Sequence, residues 1–306
     1  MGEGKGYGKV ILFNEHFVVF GVPSIVSAIA KVTTATIERT SGTGWTLDDR
    51  RLATPGYKED KLEQQRDSIE RALKAAEVDA AKTPIKITLG GDLVAASGVG
   101  ASAASCVAIA RALSDEFQLN FSDQRVNEIA YEGERAYHGT PSGVDNTAAT
   151  YGGLLWFVKG KPIEQISIRA PVEIVLGNTG LVANTEAAVA GVRERKQKHP
   201  AEYDKIFNEA EELAYMAKKA LVDYELKVVG KLMDKNHELL QAIEVSCKEL
   251  DLLVKLSRYN GAYGAKMTGG GLGGNMVALT PGKDIQDMVG RAIEKEGFDA
   301  LLTSIG

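Results

Sequence analysis

Short apolar runs alternate with amphipathic stretches along the chain. Val10–Phe13 and Phe17–Phe20 are runs of strand type, and Ile25–Ile37, rich in Val, Ile and Thr, reads as a longer strand. Lys58–Val78 carries the helical spacing of apolar positions, and Ile85–Leu89 returns to strand. A Gly/Ala/Ser stretch over 95–102 precedes a helix expected from about Ala103 to Phe117, where Val107, Leu113 and Phe117 can share one apolar side. Asp123–Tyr137 predicts another helix with Ser122 as its N-cap. Gly139-Thr140-Pro141-Ser142-Gly143 breaks it. Leu154–Val158 and Val172–Leu176 are strands. Beyond Ala187 the pattern is mostly helical, with spans expected near 200–222, 225–236 and 237–258. Met276–Leu279, Asp284–Lys295 and Leu301–Ile305 follow as strand, helix and strand. A strand-rich first half and a helical second half predict an α+β chain in two lobes. Their boundary is expected near 155–180, giving domains 1–165 and 166–306.

Composition narrows the class. Lys plus Arg is 36 and Asp plus Glu is 41, a net charge of −5, which favours neither nucleic acid nor a membrane surface as partner. Hydrophobic residues at 44% and charged residues at 25% fit a globular chain. The two cysteines, Cys106 and Cys247, have no metal-ligand spacing and imply no disulfide framework. No apolar run approaches 18 residues and the N-terminus has no apolar signal segment, so a cytoplasmic protein is expected. Glycine is the outlier, at 33 of 306 residues, and it clusters in short loops.

Those loops hold the candidate chemistry. Gly98-Val99-Gly100-Ala101-Ser102-Ala103, between a strand and a helix, lets backbone N–H groups approach an anion at a helix N-terminus, and Ser102 offers a hydroxyl to Mg²⁺. The same residues suit an Ala-rich helix packed tightly on a sheet, and the pattern leaves both open. Gly269-Gly270-Gly271-Leu272-Gly273-Gly274 formally fits a dinucleotide fingerprint, but strand rather than helix follows it, so a hairpin competes with a ligand loop. The N-terminal Gly2-Glu3-Gly4-Lys5-Gly6-Tyr7-Gly8-Lys9-Val10 fails as a Walker motif, since position 3 is Glu and Val10 lacks a hydroxyl. Lys9 can still face a phosphate. Glu134, near a helix end, and Asp145, beyond a Pro/Gly-rich turn, can be folded toward each other, one holding a metal and the other a substrate hydroxyl. Glu15-His16 sits between apolar runs, where polar residues often line a cleft. His138, His199 and His237 read as surface or helix-end histidines, and Arg193–Lys198 as a solvated helix face.

Taken in order, three motifs resemble the galactokinase, homoserine kinase, mevalonate kinase and phosphomevalonate kinase (GHMP) superfamily. They are Gly8–Gly21, with Glu15-His16 at its centre; Gly98–Ala104; and Lys266–Gly274. Gly133-Glu134-Arg135 through His138–Asn146, Asn178-Thr179 with Thr185–Arg193, and Asn236-His237 with Val245-Ser246 are most similar to the mevalonate kinases. The resemblance spans nearly the whole chain. It implies a two-lobed GHMP kinase fold, with an N-terminal lobe like ribosomal protein S5 domain 2 and a ferredoxin-like C-terminal lobe. It implies phosphorylation of the C5 hydroxyl of mevalonate by ATP, with Mg²⁺, in a homodimer. By the same resemblance Asp145 and Lys9 are catalytic, and Gly98, Val99, Gly100, Ala101, Ser102 and Ala103 wrap the ATP phosphates. Ser102 and Glu134 hold Mg²⁺, and Glu15, His16, Gly270 and Gly271 contact substrate.

Three positions depart from the family pattern: Asn14 for a glycine before Glu-His, Ala95-Ala96-Ser97 where Pro-Pro-Gly is frequent, and Ala101 for the first serine of a pair. Another alcohol, the C3 hydroxyl of mevalonate, or a silent ligand sensor on the same scaffold are the alternatives. The joint retention of Lys9, Ser102, Glu134 and Asp145 argues against the sensor.

Overall fold

The computed structural model describes residues 1–53, 56–95, 97–182 and 184–306. They form two compact units, neither continuous in sequence. The first comprises Met1–Lys9 and Ala28–Gly152, the second Val10–Ser27 and Gly153–Gly306.

In the first unit, strand β1 (Gly2–Phe13) contributes its residues up to Lys9 and β2 (Ser24–Arg39) those from Ala28. β3 (Trp45–Asp49) follows, then the single turn α1 (Tyr57–Asp60), α2 (Leu62–Ala75) and β4 (Ile85–Gly91). β4 pairs β2 antiparallel, Thr33 opposite Gly91 through Arg39 opposite Ile85, and β3 runs parallel to β4. Three helices follow: α3 (Ala101–Glu116), α4 (Asp123–His138) and α5 (Val144–Tyr151). α3 packs on α4 and α5. It is buried nearly all round, which its small side chains allow: Ala103, Ala104, Ala108, Ala110 and Ala112 line it. Ser122 caps α4 as expected, its hydroxyl accepting from Arg125 N–H.

β1 begins eight residues earlier than Val10, in a glycine-rich stretch that strand propensity argues against. The reason lies in spacing. A Cβ on Gly2, Gly4 or Gly6 would stand 2.4, 2.2 and 2.2 Å from the carbonyl oxygens of Ala112, Ala108 and Ala104. A strand period of two, against steps of four along α3, brings one glycine to each helical turn. The N-terminal glycines therefore serve close packing. Gly4→Ala is expected to cost about 1–3 kcal/mol through overpacking, while Gly42→Ala, whose Cβ meets only Thr40 Oγ1 at 3.7 Å, is the control. Equal thermal midpoints for the two variants would refute this account of β1.

In the second unit, β5 (Leu154–Phe157) pairs Ser24–Ser27 of β2 and the short β6 (Glu164–Ile166). β7 (Val172–Asn178) precedes four helices, α6 (Thr185–Lys198), α7 (Pro200–Val222), α8 (Leu226–Ala242) and α9 (Lys248–Tyr259). β8 (Gly264–Thr268), β9 (Asn275–Leu279), α10 (Lys283–Lys295) and β10 (Asp299–Ile305) complete the unit. These strands lie in the antiparallel order β10-β7-β9-β8, with α8 and α9 against β8 and α10 against β7 and β10.

Two expected elements differ. Phe17–Phe20 is a 3-10 turn rather than a strand, closed by Gly21 at φ 91°. Phe17 and Phe20 both meet the Phe207 ring edge-on, a requirement that a four-residue apolar run cannot reveal. The break expected at 236/237 falls instead at Ile243–Cys247, with Glu244 at φ 60°. Leu239, Leu240, Ile243, Val245 and Leu250 are all buried, so apolar spacing runs on through the break. No helix among the described residues is long and apolar enough to cross a membrane.

Candidate active site

The first unit holds Lys9, Glu134, Asp145 and the Gly98–Ala103 loop. Lys9 ends this unit's share of β1, and its N–H donates to Val99 O at 2.8 Å. Gly98 and Gly100 take φ 73° and 75°, and Gly100 is the N-cap of α3. A side chain at Gly100 would strike Lys9 Cγ at 2.8 Å, so glycine lets the lysine stem pass over the loop. Lys9 Nζ lies 2.9 Å from Asp145 Oδ1. Asp145 reaches it from the first turn of α5, which the glycine N-cap Gly143 starts. The lysine side chain is 7% exposed and the carboxylate 31%, so a buried cation meets a carboxylate open to a ligand.

Glu134 is 1% exposed, in the last turns of α4. Its Oε1 has no hydrogen-bond partner, and the Ser102 hydroxyl stands near enough to favour the ionised carboxylate. Burial, reinforced by the Asp145 carboxylate, pushes the Glu134 carboxyl up to about 8, against the opposing pull of Ser102 and Lys9. An orphaned carboxylate oxygen beside a hydroxyl, at the first turn of α3 with its free N–H groups, is a hard-oxygen donor set that fits a divalent cation carried by phosphates. Among the described residues no cluster of three or more His, Cys, Asp or Glu forms a metal cage, so a cation here would take remaining ligands from the nucleotide or water. The packed reading of the Gly98–Ala103 stretch holds for Val99, Ala101 and Ala103, which are buried. Of Ala95-Ala96-Ser97, Ala96 lies outside the described residues. Ala95 N–H donates to Leu52 O and Ser97 Oγ to Val94 O, which tie this approach to the loop without prolines.

In the second unit, Asn14 stands at φ 70°, the left-handed conformation a glycine would take and asparagine tolerates. Its Nδ2 donates to Pro23 O and Ala210 O, and it exchanges two hydrogen bonds with Asn236. The Asn14 departure thus keeps the turn and fastens it to α7 and α8. His16 Nε2 is 2.9 Å from Gly270 O, which fixes the proton on Nε2 because a carbonyl only accepts. Nδ1 is left as a buried acceptor without a hydrogen-bond partner. Burial lowers the His16 pKa to about 4, with Lys266 and Arg195 pushing the same way and the Gly270 bond opposing.

Glu15 is 4% exposed and pairs with Lys266. This ion pair fixes where the Glu15 carboxylate stands. Gly269–Gly274 is the connection of the antiparallel β8–β9 hairpin, not a dinucleotide turn. Gly271 at φ 72° approaches Val245 O, and Gly270 leaves no room for a side chain beside Thr185.

Lys266, Asn236 and His237 lie in motifs that resemble the family, but the sequence assigns them no partner or role. Lys266 carries the one clear signal, a lysine inside a strand otherwise buried. His237 is not at a surface or helix end but buried within α8. In Arg193–Lys198, Arg195 departs from the solvated face by donating to Tyr203 Oη and Ile243 O.

A glycine loop ahead of a helix, a lysine–aspartate pair and a second, buried carboxylate in one unit fit a GHMP kinase. The family models agree: "GHMP kinases N terminal domain" matches residues 67–153 and "GHMP kinases C terminal" residues 217–299. The mevalonate kinase of Pyrococcus abyssi is 34% identical over 319 residues, covering 97% of this chain and 93% of that protein. That of Methanothermobacter thermautotrophicus is 31% identical, covering 90% and 88%. Among solved structures, L. major mevalonate kinase in complex with R-mevalonate superposes with a TM-score of 0.95 at 38% identity, covering 100% and 96%. The chain belongs to the mevalonate kinase family.

Proposed function

We propose that the chain transfers the γ-phosphoryl group of ATP to the C5 hydroxyl of mevalonate, giving 5-phosphomevalonate and ADP. The observation that carries this is the Lys9–Asp145 pair at 2.9 Å in the same unit as Ser102, Glu134 and the Gly98–Ala103 loop. Phosphoryl transfer asks a protein mainly for positioning and charge neutralisation. Backbone N–H groups of the loop and of α3 receive the phosphates. The Asp145 carboxylate accepts the hydroxyl proton as the oxygen–phosphorus bond forms and the bond to ADP breaks. Lys9 offsets the negative charge gathering there. Ser102 and Glu134 would hold Mg²⁺, whose chemistry is to neutralise charge on the phosphate oxygens. In the second unit, Glu15, His16, Gly270 and Gly271 are the contacts we assign to the acceptor alcohol, with Lys266 holding the Glu15 carboxylate.

A coupled ADP-release assay across mevalonate, phosphomevalonate, homoserine and galactose tests the reading. Mevalonate alone is expected to support turnover, and carbon–phosphorus coupling in the product should mark the C5 methylene. Coupling at C3, or turnover on another alcohol alone, would replace the assignment. A homodimer and a cytosolic location accompany the reading, the first to be checked by sedimentation.

A further inference from the structure

β8 is the edge of the β10-β7-β9-β8 run, so alternate N–H groups along it face away from β9. Left open, such an edge holds its register poorly. Here α8 supplies the missing acceptors. Ala265 N–H donates to Asp234 Oδ1 at 2.9 Å, and Met267 N–H donates to His237 Nδ1 at 3.3 Å. Residues three apart share a helix face and residues two apart share a strand edge, so the two spacings match.

The His237 contact also fixes a tautomer. A backbone N–H only donates, so Nδ1 carries the lone pair and Nε2 the proton. Nε2 then donates to Asp251 Oδ1 at 3.0 Å, and the same oxygen accepts from Ser246 Oγ at 2.6 Å. Burial lowers the His237 pKa to about 4, Asp251 opposing and Lys266 and Arg258 assisting, so the ring is neutral at physiological pH. Met267 is held from its other side as well, its carbonyl accepting from Lys266 Nζ at 2.6 Å. Lys266 is the residue that pairs with Glu15, and three residues beyond Met267 the Gly270 carbonyl holds His16.

We propose that His237 is a positioning residue for phosphoryl transfer: as the Nε2–H imidazole oriented by Asp251, it locks Met267 and so sets Lys266 against Glu15 and the Gly270 carbonyl against His16. The inference rests on the reading of His16 and Gly270 as contacts of the acceptor alcohol.

Two variants separate this role from general packing. In His237→Asn the side-chain oxygen falls where Nδ1 sits and keeps the Met267 bond. In His237→Gln the amide nitrogen falls where Nε2 sits and keeps the Asp251 bond instead. Each loses one of two bonds, so a packing role makes them alike. His237→Asn is expected to hold the KM for mevalonate within about threefold of the parent. His237→Gln should raise it about tenfold, the scale of one lost buried hydrogen bond. KM for ATP should stay unchanged in both, at matching thermal midpoints. Equal shifts in the two variants, or an ATP KM that moves as far as that for mevalonate, would overturn the proposal.

Nitrogen–proton correlation spectra give a readout that needs no substrate. They should show His237 as the Nε2–H tautomer, and a shifted Met267 amide proton in the parent and His237→Asn but not in His237→Gln. A protonated Nδ1, or an unmoved Met267 amide in His237→Gln, refutes it. Should the parent enzyme not phosphorylate mevalonate, the proposed function fails while these spectra still decide the role of His237.

Discussion

Asp145→Asn is expected to lower kcat by about 10²–10⁴-fold, the range spanned by loss of a positioned proton acceptor. The amide keeps the shape of the side chain but cannot take the hydroxyl proton, and it leaves Lys9 facing a neutral group across the 2.9 Å contact. The phosphate loop is untouched, because Val99 holds Lys9 through the backbone and Gly98 and Gly100 keep their turns. ATP affinity should therefore change by no more than about threefold, so the loss belongs to the chemical step. A fold defect is not the expected route, because the amide keeps the side chain's shape and Asp145 is 31% exposed, open to water. Single-turnover measurements with saturating ATP and mevalonate check this. Turnover within tenfold of the parent would remove Asp145 from the chemistry and leave it only the ion-pair partner of Lys9.

How much of this was legible in the sequence depends on which physics fixed each feature. Helices with clean apolar periodicity, such as α4 and α7, are where expected, because burial of one face decides them. The candidate roles in the first unit came from the family resemblance, because a short loop of Gly, Ala and Ser alone leaves an anion site and a close-packed backbone both open. β1 was illegible in its first half for the opposite reason. Gly2, Gly4 and Gly6 lower strand propensity, and only the three-dimensional partner α3 explains them. Glu15 was legible as a polar residue in an apolar context, but its partner was not. Lys266 lies 251 positions away, and a pair so separated leaves no periodic trace. His237 shows the same limit. Its neighbours in sequence are charged and helical, so a surface reading was the natural one. The acceptor it provides is demanded by an edge strand formed some thirty residues later.

Glu134→Gln should move stability and activity in opposite directions. In the parent the folded carboxyl titrates near 8, against an ordinary value of 4.5 in the unfolded chain. Between those values the folded state keeps a proton that the unfolded state has released. Stability of the cation-free protein must then fall as pH rises through this window, by at most about 1.4 kcal/mol per pH unit from this group. Glutamine has the same shape and no such titration, so the variant should melt higher than the parent in chelator at pH 8 and draw level with it near pH 5. Magnesium with ATP reverses the order. A cation binds the ionised carboxylate and so releases the proton, stabilising the parent by mass action. The variant offers a neutral amide oxygen and should need about 10–100-fold more Mg²⁺ for half-maximal turnover, the cost typical of a weakened metal site. Melting curves at pH 5 and 8, with and without Mg²⁺-ATP, test both halves together. Parallel pH dependences for parent and variant without the cation would show that the buried carboxyl is not held protonated. An unaltered Mg²⁺ requirement would show that the unpartnered Oε1 of Glu134 faces no cation at all.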